Sequence, residues 1–87
     1  MNNSDAERHG SYNKEIAAIL RGRRAELGIR NRDIAASADM HEGTVTRLLL
    51  NQRAMTVSQM IALCQALDRD PAEVVAEARH RSENNSR

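Results

Sequence analysis

Residues 31–50 read N-R-D-I-A-A-S-A-D-M-H-E-G-T-V-T-R-L-L-L. The apolar or small positions here are Ile34, Ala35, Ala38, Met40, Val45 and Leu48, and their spacing gives one buried stripe to each of two short helices. Ala35 is small, as a helix must be where a second helix crosses it closely. Val45 and Leu48, three residues apart, anchor the second helix inward. Glu42, Gly43, Thr46 and Arg47 then fall on its other faces, polar and reachable. The turn between the two helices needs a residue that tolerates a left-handed backbone, a place glycine usually takes. Here it falls to Asp39, which enters that region more readily than most other residues.

Two helices crossing through such a turn form a helix-turn-helix, whose second helix enters the DNA major groove. The rest of the chain is compatible with one small domain around that unit. Its 87 residues suffice for a single core, and 40% of them are apolar with Tyr12 the lone aromatic, so the core is built of Ile, Leu, Val, Met and Ala, as suits packed helices. No apolar run approaches the length of a membrane span. The first ten residues, M-N-N-S-D-A-E-R-H-G, do not read as a signal peptide. Cys64 is alone, which excludes an internal disulfide and favours a reduced, cytoplasmic setting.

The net charge is only +1, weaker than the basic balance of many nucleic-acid binders. Its distribution says more. Residues 21–53 hold seven arginines (21, 23, 24, 30, 32, 47 and 53) against Glu26, Asp33, Asp39 and Glu42, while the flanking segments are each slightly acidic. The positive charge therefore gathers around the two-helix unit.

Outward from that unit, residues 1–11 read as a flexible N-terminal arm, residues 12–80 as the folded domain and residues 81–87 as a disordered tail. A first helix is expected from about Asn13, its N-cap, to Leu27, with Ile16, Ile19, Leu20 and Leu27 facing inward and Gly28 ending it. The second covers 31–37 and the third 42–50, closed by Asn51; within it Leu48 is core, Leu49 covers the core's edge and Leu50 points outward. Thr56 and Gln59 form a capping box that opens the fourth helix, whose apolar positions are Val57, Met60, Ile61, Cys64 and Leu67. Asp70, Pro71 and Glu73 open the fifth with a second capping box. Val74, Val75 and Ala78 give that helix an apolar side.

Three segments of this plan resemble the Cro/C1-type (Xre-like) helix-turn-helix family. L-G-I-R-N-R-D-I-A (27–35) resembles its entry into the motif, M-H-E-G-T-V-T-R-L (40–48) its recognition helix, and M-T-V-S-Q-M-I-A-L-C-Q-A-L-D-R-D-P-A-E-V-V (55–75) its fourth and fifth helices. The resemblance spans about Asn13 to Ala78 and implies an all-α, five-helix, lambda-repressor-like DNA-binding domain with the motif at helices 2 and 3. The departures are specific. The family's opening Gln of helix 2 is Asn31, its turn Gly is Asp39, and its E-N-G ending of helix 3 is replaced by Leu49, Leu50 and Asn51. In relatives an Arg of helix 1 pairs with that Glu; Arg24 stands at the matching place, facing Leu49.

Contacts with DNA divide into positioning and reading. Positioning falls to Asn31 and Arg32 at the start of helix 2, His41 ahead of helix 3, and Asn51 and Arg53 in the loop after it. Asn31 serves as a helix cap, a phosphate ligand or both. Reading falls to helix 3. The fork of Arg47 matches guanine O6 and N7, Glu42 can accept from a cytosine amino group or simply favour the helix N-terminus, Gly43 permits close backbone approach, and Thr46 touches a thymine methyl or a phosphate. Val74, Val75 and Ala78 serve either a homodimer interface, which would pair two DNA half-sites, or the monomer's own core.

The function expected is that of a small transcriptional regulator of double-stranded operator DNA, a repressor of phage or mobile-element type. The alternatives are the antitoxin of a toxin–antitoxin pair and a protein-interaction adaptor that keeps the fold without reading DNA. An enzyme is not expected. His9, His41 and His80 have no metal-ligand spacing with one another or with Cys64, and no phosphate-cradling loop or nucleophile motif occurs, so neither cofactor nor metal nor small-molecule ligand is expected.

Overall fold

The computed structural model describes the backbone of residues 3–85 and the side chains of residues 10–84. Five helices follow one another: α1 (Asn3–Leu27), α2 (Asn31–Ala38), α3 (Glu42–Leu49), α4 (Val57–Ala66) and α5 (Pro71–Asn85). No strand occurs among the described residues. The core gathers Leu20 of α1, Ile34 and Ala35 of α2, Val45, Leu48 and Leu49 of α3, Leu63 and Cys64 of α4, and Val74 and Ala78 of α5, with Leu67 from the turn after α4. The all-α architecture and the placement of the motif on α2 and α3 agree with the sequence reading.

The motif's turn is closed by Asp39 in the left-handed conformation, at φ 54° and ψ 52°. The Met40 N–H reaches back to the Ala35 carbonyl at 2.9 Å, which satisfies a carbonyl the helix end would otherwise leave open. The same closure recurs twice. Asn51 (φ 58°) and Asp68 (φ 55°) are also left-handed, and the next N–H in each case reaches five residues back, Gln52 to Arg47 at 2.9 Å and Arg69 to Cys64 at 2.8 Å. Only α1 ends on the glycine usual at such stops, Gly28.

Helix starts follow local chemistry. Thr56 and Gln59 form the full capping box of α4, the Gln59 N–H donating to Thr56 Oγ1 at 3.1 Å and the Thr56 N–H to Gln59 Oε1 at 3.0 Å. At α5 the expected box is half made: Asp70 Oδ1 accepts from the Ala72 N–H at 3.0 Å, and Glu73 returns no bond. At α2 the cap is Arg30, with Asn31 beside it and the Asp33 carboxylate accepting from the Arg30 N–H at 3.2 Å.

The ends of the chain depart most from expectation. α1 begins at Asn3, ahead of the expected Asn13, and α5 continues to Asn85, through most of the segment read as a disordered tail. Residues 1, 2, 86 and 87 of the expected arm and tail lie outside the described residues. For α5 the physical reason is its packing along α1. α1 and α5 pair more extensively than any other two helices, and buried Ser82 of α5 donates to Ser11 of α1 at 2.8 Å. Arg81–Glu77 and Arg79–Glu83 ion pairs at i, i+4 spacing add to the end of α5. Gly10 costs α1 only about 1 kcal/mol relative to Ala, too little to stop a helix with a partner alongside.

Two expected apolar stripes also shift. In α4 the inward set is Met60, Leu63, Cys64 and Leu67; Ile61 is exposed and Val57, in the first turn, is 71% exposed. In α1 Leu27 is exposed, because beyond Leu20 the inner line passes to half-buried Arg23 and Arg24. Leu49 is fully core rather than at its edge, while Leu50 points outward at 53% exposure. Cys64 is buried with its Sγ 3.7 Å from Met60 Sδ. Burial pushes its thiol pKa up, Arg69 opposing and Asp70 adding to the shift, so little reactive thiolate forms.

Candidate nucleic-acid interface

The outward side of α3 begins at its first turn. Glu42 and Gly43 are exposed there, Arg47 follows one turn later and is exposed, and Thr46 beside it is half-buried. The Arg47 guanidinium folds back over Gly43: a Cβ built on Gly43 would meet Arg47 Nη1 at 3.4 Å. The structure thus brings Gly43 and Arg47 together, at a separation where a Cβ would make ordinary van der Waals contact with the guanidinium.

Thr46 is held on two sides. Its hydroxyl donates to the Glu42 carbonyl at 3.1 Å and accepts from Asn31 Nδ2, also at 3.1 Å. Asn31 is therefore the first residue inside α2 rather than its cap, and its amide spans the motif to hold α3 against α2. Its Oδ1 is buried without a hydrogen-bond partner. Arg32, His41 and Arg53, the other residues assigned to phosphates, are all exposed, with His41 as the residue preceding α3. Asn51 is exposed, but its Oδ1 already accepts from Asn13 Nδ2.

Asn13 was expected to cap the first helix; it lies well inside α1 instead. There its Oδ1 accepts from the Met55 N–H at 3.1 Å while its Nδ2 reaches Asn51, so one side chain ties both ends of the α3–α4 loop to α1. Arg21 is the other positioning residue that sequence reasoning passed over. Its Nη1 donates to the Leu49 carbonyl at 2.6 Å, a cation at the negative end of α3. The replaced ion pair was the available signal: with Leu49 buried where relatives carry an acid, the end of α3 still calls for a cation, and Arg21 lies one turn from Arg24. Arg24 itself reaches only the Ile29 carbonyl at 3.5 Å, and its Nε is buried without a partner.

On α5 the three interface candidates separate. Val74 and Ala78 are fully buried in the monomer's core, which removes them from a dimer surface, whereas Val75 is 42% exposed. The helical period explains the split: 74 and 78 share one face, and 75 is turned about 100° from 74. No group of side chains suited to holding a metal ion occurs among the described residues, and no helix there is long and apolar enough to cross a membrane.

The comparison with known families agrees with this geometry. A helix-turn-helix family model matches residues 20–74, well over half of the chain, from the last third of α1 to the start of α5. No curated protein and no solved structure matches the chain significantly. The match encloses the α2–turn–α3 unit, the capped start of α4 and the core residues that seat them, and its family is one of double-stranded DNA binders rather than, typically, enzymes. The chain belongs to the Cro/C1-type (Xre-like) helix-turn-helix family and is, in that general sense, a DNA-binding regulator.

Proposed function

We propose that the protein is a small sequence-specific repressor of the phage or mobile-element type, working in the cytoplasm on nucleoid DNA, with α3 in the major groove. The observation that carries this reading is the α3 surface itself. Glu42, Gly43 and Arg47 are exposed on one short helix while Val45, Leu48 and Leu49 root its other side in the core. A rigid helix with a polar, unpartnered face is what base reading requires. Arg47 reads guanine through O6 and N7, Glu42 accepts from a cytosine amino group, Gly43 lets the backbone approach the bases, and Thr46 lies beside them. Arg32, His41 and Arg53, with Asn31 and Asn51 at the motif's edges, fix the register on phosphates.

One such helix reads only a few base pairs, so we take the working form to be a homodimer on two half-sites. Exposed Val75 supports α5 as the joining surface; it borders an apolar cleft of about 190 Å³ with Tyr12, Ile16 and Arg79, floored by buried Ala78. Selection from randomised duplex DNA at about 0.15 M salt, where weak electrostatic binding is screened, tests the whole reading. An inverted repeat is the expected product. A single short site would leave the regulator and remove the dimer. No preferred sequence, from protein shown to be folded, would overturn the reading and favour the adaptor, a role to which exposed Asp39 and Glu42 also lend themselves.

A further inference from the structure

The geometry points to Thr46 as a thymine reader that works through its methyl group and not its hydroxyl. This rests on the proposal that α3 lies in the major groove. A threonine hydroxyl has one proton and two lone pairs. Here the proton goes to the Glu42 carbonyl and one lone pair takes the Asn31 amide, each at 3.1 Å. With its only proton committed, the hydroxyl has none to donate to a phosphate oxygen, to guanine O6 or N7, or to thymine O4. The second lone pair can only accept, from a base amino group, and the γ-methyl is uncommitted; of the two, only the methyl distinguishes thymine.

The two bonds also fix the side chain. A threonine in a helix divides between two rotamers because its oxygen can bond the carbonyl one turn back. Here that bond is made, and the second bond, from a different helix, holds the oxygen in the same place. The methyl is thereby held in a single staggered position on a residue that remains partly exposed. A fixed methyl on the reading helix matches the one apolar mark in the major groove, the 5-methyl of thymine. Asn31 becomes the positioning residue of this contact, because its amide is the bond from α2 that holds the Thr46 oxygen.

The test separates the methyl from the hydroxyl on both partners. Within the DNA site selected above, each thymine is replaced in turn by deoxyuridine, which pairs identically and lacks only the methyl. Binding of the full-length protein is then measured for the native sequence, T46S and T46V. The expected result is one thymine per half-site whose replacement weakens the native protein about fourfold, the worth of one buried methyl group. T46S, which keeps both hydrogen bonds and has no methyl, becomes indifferent to that replacement. T46V, which keeps a methyl and loses both bonds, remains sensitive to it; if it fails to fold, the comparison with T46S decides alone. A native protein indifferent to every replacement, a selected site without thymine under α3, or a T46S as sensitive as the native protein each overturns the inference while leaving the DNA-binding reading in place. Failure to select any site removes that reading first, before any deoxyuridine is used.

Discussion

Arg21 and Arg23 of α1 and Arg47 and Arg53 of the α3 region are the same residue type put to opposite use. Arg21 donates to the last carbonyl of α3 at 2.6 Å, and Arg23 Nε donates to the Leu67 carbonyl, just past α4, at 2.9 Å. Both sit at the negative end of a helix, and both are held by carbonyls that would otherwise lack a donor. The side chains of Arg32, Arg47 and Arg53 are exposed and have no hydrogen-bond or ion-pair partner among the described residues. The cluster of arginine around the motif therefore contains two populations. One joins helices, and only the other is available to a ligand. With Arg21, Arg23 and its ion-pair partner Glu26, and half-buried Arg24 set aside, Arg30, Arg32, Arg47 and Arg53 stand against Asp33, Asp39 and Glu42. The motif's surface is close to neutral, so its use of DNA depends on where each charge stands more than on a bulk positive field.

This division can be broken by experiment. Arg23→Ala is expected to have the largest effect, a loss of about 1.5–3 kcal/mol of stability from a charged hydrogen bond whose carbonyl is left open; a denaturant titration reads it. The salt dependence of DNA binding by the folded variant should be unchanged, and a shallower dependence would show that Arg23 serves DNA after all. Arg47→Ala should behave in reverse. Stability stays within about 0.5 kcal/mol of the native protein, while discrimination at one base pair falls by about 1–3 kcal/mol, seen by repeating the selection. A stability loss of that size would move Arg47 into the joining set. Gly43→Ala is the smallest and most diagnostic change. Alanine's helix preference raises stability by up to about 1 kcal/mol, and the added Cβ, which meets Arg47 only in ordinary contact, should weaken specific binding by holding the backbone off the bases. Higher stability with unchanged affinity would show that backbone approach at Gly43 does not matter to DNA.

What the sequence made legible was local. The Asp39 turn, the Thr56–Gln59 box and the inward positions of α3 each depend on residues within one or two turns, and each is found where its pattern places it. What it concealed was set by distant partners. The end of α5 looks polar and unstructured when read separately, and is helical with Ser82 bonded to Ser11 of α1, the helix it pairs with most extensively. Val57 fits the period of α4, but nothing packs over that first turn, so periodicity alone overstates the buried stripe. In the site, the exposed placement of Glu42, Gly43 and Arg47 followed from the inward residues between them. The engagement of Asn31 with Thr46, fifteen residues away, and of Asn13 with Asn51, thirty-eight away, did not. Side-chain bonds over such separations carry no periodic signature.

The left-handed helix stop at Asp68 bears on how long such a protein lasts. A non-glycine residue in that conformation costs about 1–2 kcal/mol, and the Asp68 side chain returns little, standing exposed and 3.9 Å from Arg23. Small domains sit only a little above the stability they need, and proteases draw on the fraction that is transiently unfolded. One residue in the turn after α4, outside the core and outside the α2–α3 unit, therefore sets a share of that fraction. At Asp68, unlike at Asp39 and Asn51, turnover can therefore change while the residues proposed to meet DNA stay as they are.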